Sequence, residues 1–340
     1  MRIGPIEFGE HPIFLAPMED VSDPPFRILC KRFGADLLYT EFISSGGLVH
    51  EAEDSLRKLE FSSQERPIAI QIFGGDLEQV REAARRVEAA GPDIIDINFG
   101  CPVKKVVRQD AGAATLRDPQ RMRDLTEAVI KVARRPVTVK TRLGWDDRSI
   151  RILEIGRMLE EIGVQALAVH ARTRSQMYRG EAQWPWLKRL KQQGGLQIPI
   201  IGNGDATTPE RIRDMFAETG VDAVMVGRGA IGNPWIFRDA KALIENREVP
   251  SPPTWEERCA LAAEHLELKC RWLGDRRGVL EMRRMYGGYL KGHPGSQRLR
   301  QKLMQQTEPA SVLELLRNAG SSDDEPRVSM TGAPQRVSSR

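Results

Sequence analysis

Short apolar runs alternate with amphipathic patterns of helical period from residue 13 to about residue 246. Runs rich in Val, Ile and Ala predict buried strands, and apolar residues that recur every three or four positions predict helices. The predicted strands are 13–16, 36–39, 68–72, 93–97, 137–141, 166–170, 198–202 and 223–226. The predicted helices between them are 24–33, 77–90, 119–134, 149–162, 184–193, 208–218 and 234–246.

Helix start and stop signals support these boundaries. Asp118-Pro119 and Thr208-Pro209 each place a capping residue before a proline at the first helical position. Gly91, Gly163 and Gly220 follow helical patterns directly, where a left-handed C-terminal cap favours glycine.

About eight strand–helix repeats over roughly 240 residues are typical of a (β/α)8 TIM barrel, an α/β fold. The alternative is an open, doubly wound sheet, which concentrates its ligand site at one switch point. Polar residues follow nearly all of the predicted strands here, so the sequence favours a barrel over residues 1–248.

The chain changes character after the Pro-rich linker 250–253. Helical patterns over 254–273, 276–291, 296–306 and 309–318, without a strand-like run between them, predict a small all-helical domain at 254–318. Residues 321–340 are rich in Ser, Asp, Pro, Arg and Gly and show no apolar period, which predicts a disordered tail.

Composition and cysteine use narrow the class of protein. Of 340 residues, 40% are hydrophobic and 29% charged, and no apolar run approaches the roughly 20 residues that span a bilayer. The first residues contain no apolar signal core, and the four cysteines form no CxxC pair. These features predict a cytoplasmic protein without a membrane association, a disulfide framework or a metal site.

The stretch Asp96-Ile97-Asn98-Phe99-Gly100-Cys101-Pro102-Val103-Lys104-Lys105 is the leading candidate for chemistry. Its apolar part predicts a strand, and Gly100 and Pro102 predict the loop that follows. Cys101 is therefore expected just beyond a strand's C-terminal end, on a loop that also carries two lysines and Arg108. A small, half-buried loop cysteine is the alternative interpretation.

Most of the other predicted strands also end in polar residues. Together these residues support an active site more strongly than any one of them does alone. In a barrel the active site lies at the C-terminal ends of the strands. Glycine-rich turns after strands seven and eight commonly bind a phosphate there. The positions involved are Ala16-Pro17-Met18, Glu41, Gln71, Asn98, Lys140, Arg142, His170, Arg172, Asn203-Gly204-Asp205 and Gly227-Arg228.

The segment Gly227-Arg228-Gly229-Ala230-Ile231-Gly232 also matches G-x-G-x-x-G, the fingerprint of dinucleotide-binding units. Such a unit requires a further strand about 30 residues on. The chain instead enters the Pro-rich linker, so the barrel phosphate site is the preferred interpretation. A phosphate on one side of the rim, with Lys140, Gln71 and Asn98 near its centre, suits a phosphorylated planar cofactor; spacing alone does not distinguish flavin from other such ligands.

These residues resemble those of the tRNA-dihydrouridine synthases, most closely the bacterial B-type subgroup. The resemblance extends over about residues 10 to 318. It is carried by 16–18, 96–106, Lys140-Thr141-Arg142-Leu143-Gly144-Trp145, His170-Ala171-Arg172-Thr173-Arg174, Gly202-Asn203-Gly204-Asp205, and 227–230 with 234–237. The Asn-x-Gly-Cys-Pro stretch is the most specific of these.

The resemblance implies an FMN-binding TIM barrel with a C-terminal helical domain. It implies reduction of the uridine 5,6 double bond in tRNA, with NADPH or NADH as the transient reductant. Hydride would go to C6 and a proton from Cys101 to C5. The implied FMN contacts are Ala16, Pro17, Met18, Gln71, Lys140, His170, Asn203, Gly204, Asp205, Gly227 and Arg228.

A mostly protonated thiol suits general acid catalysis, and the basic loop is expected to lower its pKa. Asn98 and Arg172 are expected to contact the substrate. The two interruptions of the family pattern, the less glycine-rich stretch 106–113 and Met285, are expected to affect which uridine is chosen rather than the reaction class.

The helical domain is expected to bind tRNA, because ten basic residues, including Arg283 and Arg284, lie between 269 and 302 beside only two acidic ones. Trp272, Tyr286 and Tyr289 are interleaved with them. No obligate protein partner is expected. The target uridine is expected to turn out of the tRNA stack into the rim pocket.

Two other functions remain open from the residues. One is an FMN-dependent small-molecule oxidoreductase of the dihydroorotate-dehydrogenase type, which leaves the basic helical domain unexplained. The other is a non-catalytic tRNA-binding protein, whose expected mark is the loss of Cys101, Lys140 or the phosphate turn. All three features are present.

Overall fold

A computed structural model describes residues 1–321 of the chain, which divide into two compact units at Pro252 and Pro253. Besides the two-residue strand Ile43–Ser44, which pairs in parallel with Ile72 and Phe73, the first unit contains eight parallel strands in consecutive order around a ring. They are β1 (Ile13–Leu15), β2 (Leu38–Tyr39), β3 (Ile68–Phe73), β4 (Ile94–Asn98), β5 (Val137–Arg142), β6 (Leu167–His170), β7 (Ile200–Asn203) and β8 (Ala223–Val226).

The ring closes between β1 and β2. Phe14 bridges Leu37 in parallel, the Leu15 N–H donates to the Leu37 carbonyl at 2.9 Å, and the Asp36 N–H donates to the Ile13 carbonyl at 2.9 Å. On the other side, β1 pairs with β8 in register from Ile13 with Val224 to Leu15 with Val226. The predicted (β/α)8 barrel is therefore confirmed.

Helices follow the strands around the ring. They are α1 (Pro24–Arg32), α2 (Ser45–Val49), α3 (Leu77–Ala90), α4 (Pro119–Ile130), α5 (Ile152–Glu161), α6 (Trp184–Gln193), α7 (Pro209–Thr219) and α8 (Trp235–Ile244). The expected signals are used, since the Asp118 and Thr208 side chains cap α4 and α7, and Gly91 and Gly220 end α3 and α7 with φ of 74° and 70°.

The barrel interior mixes large and small side chains. Phe14, Tyr39 and Met225 pack against the alanines at 69, 168 and 223, and all are inaccessible to solvent. Because side chains alternate along a strand, the residues above this layer on β3, β4 and β5 also point inward. Those residues are polar, and they form the base of the site.

An N-terminal hairpin, Arg2–Ile3 paired with Ile6–Glu7, closes the other end of the barrel. Ile3 is fully buried in the barrel core cluster, and Met1, Ile6 and Phe8 pack against it. This hairpin is not predictable from the hydrophobic pattern, because two-residue strands are too short to show a period.

The second unit is entirely helical in its described part. Its helices are α9 (Trp255–Leu273), α10 (Asp275–Met282), α11 (Tyr286–Tyr289), α12 (Ser296–Gln305) and α13 (Pro309–Ser321). The helix predicted over 276–291 is interrupted at 283–285, beside the weak helix formers Gly287 and Gly288. Ser321 belongs to α13, and the rest of the predicted disordered tail, 322–340, lies outside the described residues. No helix within residues 1–321 has the length and apolarity needed to cross a bilayer.

The hairpin generates a stability prediction. Ile3→Ala removes a fully buried side chain from the barrel core and should lower the free energy of unfolding by about 2–5 kcal/mol. Ile6→Ala, at a half-exposed position, is the control and should cost clearly less. Urea unfolding followed by tryptophan fluorescence measures both, and equal losses would contradict a closing role for the hairpin.

Candidate active site

A cavity of about 410 Å³ opens at the C-terminal ends of the strands. Its size falls within the range of small-molecule and cofactor sites. Twelve of the predicted site residues line it: Ala16, Pro17, Met18, Asn98, Cys101, Lys140, His170, Asn203, Gly204, Asp205, Gly227 and Arg228. The barrel therefore brings together side chains that are up to 212 positions apart, from Ala16 to Arg228.

Cys101 lies in this cavity on the loop after β4, and its loop is held from both sides. The Asn98 Oδ1 accepts hydrogen bonds from the Gly100 and Cys101 N–H groups, each at 2.9 Å. The Cys101 carbonyl accepts one from the Ala113 N–H at 3.0 Å. Gly112 has a φ of 58°, and a Cβ there would lie 2.8 Å from Val106 and 3.0 Å from the Cys101 carbonyl. The position therefore needs glycine.

A buried chain of hydrogen bonds fixes the orientation of Asn98. Its Nδ2 donates to Gln71 Oε1 at 2.8 Å, and Gln71 Nε2 donates to Asp96 Oδ2 at 2.5 Å. Backbone N–H groups can only donate, and an ionised carboxylate can only accept. The two ends of this hydrogen-bond chain therefore impose one consistent orientation on the Gln71 and Asn98 amides. One N–H of Asn98 Nδ2 is left for a ligand in the cavity.

Cys101 is only 7% exposed. Burial raises its pKa above the ordinary value, although a backbone hydrogen bond and the charges of Arg142 and Lys140 act in the opposite direction. The expectation that the basic loop lowers this pKa is therefore wrong, because desolvation is the larger effect. The thiol is protonated at neutral pH, which is the state that a proton donor needs.

Positive charge gathers at the centre of the cavity. Burial, and then the neighbouring Arg142, lower the pKa of Lys140 to about 8. Within residues 1–321 its ammonium group makes no hydrogen bond or ion pair. Burial and the nearby cations also lower the pKa of His170 well below its usual value, so its ring is neutral at pH 7. An anionic ligand would relieve the repulsion among these groups.

The turns after β7 and β8 approach each other closely. A Cβ on Gly229 would lie 2.8 Å from Thr207 Cα and 2.9 Å from the Ala206 carbonyl. In the described chain, the N–H groups of Gly204, Asp205, Gly227 and Arg228 donate to no protein acceptor. Backbone donors beside a cationic Arg228 side chain fit a phosphate group.

A sequence model of the family described as dihydrouridine synthase matches residues 14–323. The chain belongs to the dihydrouridine synthase family. It is 38% identical to the tRNA-dihydrouridine synthase B of Pasteurella multocida over 313 residues, which cover 92% of this chain and 93% of the relative. It is 40% identical to the tRNA-dihydrouridine synthase B of Pseudomonas putida over 301 residues, 88% of each chain. The predicted family is thus confirmed, and the protein is an oxidoreductase.

Solved structures agree on the fold. The synthase resembles 2-naphthoyl-CoA reductase with a TM-score of 0.56 at 12% identity, covering 73% of this chain and 52% of the other. It resembles histamine dehydrogenase from Rhizobium sp. 4-9 with a TM-score of 0.55 at 14% identity, covering 79% and 50%. The synthase thus spans about half the length of each of these chains.

Two predicted site residues of the synthase barrel lie outside the cavity lining. Gln71 is fully buried in the hydrogen-bond chain beneath Asn98. Arg172 is 2% exposed and donates to both oxygens of Asp205, at 2.7 and 2.8 Å, and to the Gly180 carbonyl. In this structure both residues position neighbours that do line the cavity.

Arg142 has a structural role that its position at a strand end does not define. It is 2% exposed, lines the cavity, and donates to the Gly100 carbonyl at 2.7 Å and the Met177 carbonyl at 2.8 Å. One guanidinium thus joins the Cys101 loop to the loop after β6, which carries Tyr178. The alternation along β5 that puts Lys140 inward also puts Arg142 inward, so this signal was present in the sequence.

Glu19, Asp20 and Glu41 form a carboxylate group near the cavity. Lys58 Nζ lies 2.6 Å from Glu19 and 3.5 Å from Glu41, so it compensates part of this charge. Burial raises the pKa of Glu41 to about 7. An arrangement that already includes an ammonium ion gives no support for a metal site.

The helical unit exposes most of its predicted basic residues. The exposed ones are Arg271, Arg276, Arg277, Arg284, Lys291, Arg298, Arg300 and Lys302. Arg283 is half-buried and donates to the Gln306 carbonyl at 3.0 Å. Tyr286 and Tyr289 are fully buried, so the expectation that they interleave with the cations on the surface is wrong; both belong to the domain core.

The raised pKa of Cys101 predicts slow alkylation. The rate of iodoacetamide labelling of Cys101, followed by peptide mass spectrometry, should be low at pH 7 and should rise only above the pH range in which an ordinary thiol ionises. Asn98→Ala should accelerate it, since the loop loses both hydrogen bonds to Asn98 Oδ1. Fast labelling at pH 7 with an inflection below pH 8 would contradict the assigned protonation state.

Proposed function

We propose that this synthase reduces the 5,6 double bond of uridine in tRNA, with FMN as its cofactor and NADPH or NADH as reductant. The observation that carries the proposal is a protonated thiol, Cys101, in one cavity with Lys140 and the two phosphate-type turns. The names of the Pasteurella and Pseudomonas relatives support tRNA as the substrate. The family match favours this function over a small-molecule oxidoreductase of the dihydroorotate-dehydrogenase type.

The residues of the cavity fit FMN. The proposed phosphate contacts are Gly204, Asp205, Gly227 and Arg228, through N–H groups without protein acceptors in the described chain and the Arg228 guanidinium, with Asn203 beside them in the cavity wall. The Asp205 side chain itself is paired with Arg172 and Arg228, so its N–H is the group that faces the phosphate. Ala16, Pro17 and Met18 form the wall beside β8, where Ser22 holds the loop by hydrogen bonds to Ala16 and Met18.

Lys140 and His170 would contact the polar edge of the ring system, and Gln71 would act from beneath by orienting Asn98. FMN bound in this cavity and reduced would supply a hydride for uracil C6. Cys101 supplies the proton at C5, as its thiol S–H bond breaks and a C5–H bond forms. Asn98, with its remaining Nδ2–H, would hold a uracil carbonyl, while Arg172 would keep Asp205 in place.

The helical unit would contribute tRNA contacts through its exposed cations, Arg284 among them, with Arg283 partly committed to Gln306. The proposal places the reaction in the cytoplasm. Its partners are tRNA and NAD(P)H, with no obligate protein partner.

Cys101→Ala should lower dihydrouridine formation by about 10²–10⁴-fold, the contribution typical of general acid catalysis. FMN content and tRNA affinity should stay unchanged, because the thiol makes no cofactor or phosphate contact in the proposal. Dihydrouridine is measured by mass spectrometry of digested, previously unmodified tRNA. Cys270→Ala, a thiol in the helical unit, is the control.

Wild-type protein that forms no dihydrouridine on any tRNA would overturn the proposed function. A Cys101→Ala variant with unchanged turnover would remove Cys101 from the mechanism and leave the function standing.

FMN binding to the cofactor-free protein should weaken as pH rises from 7 to 9. The pKa of Lys140 is lowered to about 8, so the side chain loses its charge across this window, and FMN binds the charged form better. Above pH 8 the Kd should rise by up to about tenfold per pH unit. Fluorescence quenching of FMN measures this.

Lys140→Met should bind FMN weakly at all pH values and lose the dependence, whereas Lys131→Met, at the opposite end of the barrel, should keep it. The same pH slope in Lys140→Met would show that another group is responsible.

A further inference from the structure

The short helical turn Lys104–Val107, directly after the Cys101 segment, carries positive charge that the proposed function does not use. Lys104, Lys105 and Arg108 are all exposed. Within residues 1–321 none of the three forms an ion pair or a side-chain hydrogen bond. Asp110 is the one acidic residue in the stretch 104–110, so the stretch carries an excess of two positive charges.

Because one side of this turn packs against the barrel, its cations lie on the surface. Val106 is buried and packs with Cys101, Ala111 and Phe73. Lys104 and Arg108 are four residues apart and therefore lie on one side of the turn, with Lys105 beside them and Val106 facing inward. The hydrogen bond from the Ala113 N–H to the Cys101 carbonyl ties the return of the loop to the thiol segment. The cations are thus held at a fixed place relative to Cys101.

The turn also borders the cavity mouth. Val103 lines the cavity, is 47% exposed, and directly precedes Lys104. A uridine whose base enters the cavity must leave its backbone outside, since only the base is turned inward when a nucleotide leaves the stack. The phosphates next to the target nucleotide therefore lie near the mouth.

We propose that Lys104, Lys105 and Arg108 form a phosphate-binding surface for the RNA backbone beside the target uridine. The inference rests on the proposed function and extends it to a surface of the barrel unit. A cation without a protein partner gains most from a phosphodiester, because its binding releases a condensed counterion. The surface carries no base-reading group, so it contributes affinity and placement of the nucleotide rather than sequence choice.

The test compares three proteins with one unmodified tRNA. They are the wild type, the triple variant Lys104→Gln, Lys105→Gln, Arg108→Gln, and the control triple variant Lys131→Gln, Arg134→Gln, Arg135→Gln. The control removes equal formal charge from the segment just before β5, at the opposite end of the barrel strands. Fluorescence anisotropy gives Kd between 50 and 200 mM KCl, and absorbance gives FMN content.

The surface triple variant should bind tRNA about tenfold or more weakly at 0.1 M salt, and the slope of log K against log salt should fall in magnitude by about 2–3. Its FMN content and its rate of reduction by NADPH should equal those of the wild type. Its turnover should recover at saturating tRNA, so that KM rises and kcat is kept. The control variant should retain the wild-type slope within about 1.

An unchanged slope and Kd in the surface variant would overturn the proposal, as would an equal change in the control. The proposed function has a separate readout in the wild type. If the wild type forms dihydrouridine and the surface variant matches the control, only the proposed phosphate-binding surface is refuted. If the wild type neither binds tRNA nor forms dihydrouridine, both the proposed function and the proposed surface are refuted.

Discussion

The site depends on one buried chain of hydrogen bonds, from Asp96 through Gln71 and Asn98 to the N–H groups of Gly100 and Cys101. It joins β3 to β4, and Thr138 extends it to β5 through the other Asp96 oxygen. Burial raises the pKa of Asp96 to about 6. Keeping this carboxylate ionised in the barrel interior therefore costs free energy, which its hydrogen bonds to Gln71 and Thr138 partly offset. Leaving any one member without its partner costs about 1–3 kcal/mol, and more for the charged end. The position of the thiol therefore follows from the barrel interior rather than from its flexible-looking loop.

Charge is the second constraint. Burial, and then the charges of Arg142, Lys140, Arg172 and Arg228, lower the pKa of His170. Among the adjacent turn residues that the structure describes, only Asp205 offsets these charges, by pairing with Arg172 and Arg228. Burial opposes ionisation of Asp205, yet hydrogen bonds from Arg172 and the Ala182 N–H outweigh it and lower the pKa of Asp205. Arg172 thereby stabilises the turn whose N–H groups are the proposed phosphate contacts. The cavity therefore has a net positive potential, which an anionic cofactor would compensate.

Much of this architecture is readable from the sequence, for definable reasons. Most residues of the eight strands are apolar, and several helices begin at a capping residue before a proline, so the strand–helix alternation that predicts the barrel can be read from the sequence. Twelve site residues follow from their place at strand ends. Burial is harder to predict: Tyr286 and Tyr289 lie among cations in the sequence but inside the helical unit, and the Cys101 pKa rises because desolvation exceeds the effect of nearby charge. Contacts between loops, such as Arg142 with Met177, depend on the tertiary fold and leave no local pattern.

The most direct test of flavin-dependent uridine reduction is the visible spectrum of the purified synthase, recorded without air as NADPH and then unmodified tRNA are added. We expect flavin absorbance that bleaches with NADPH and returns with tRNA, but does not return with free uridine or orotate. A spectrum that stays bleached with tRNA, yet returns with a small-molecule acceptor, would contradict the substrate. A colourless protein that does not take up FMN would contradict the cofactor and the role given to the Cys101 thiol.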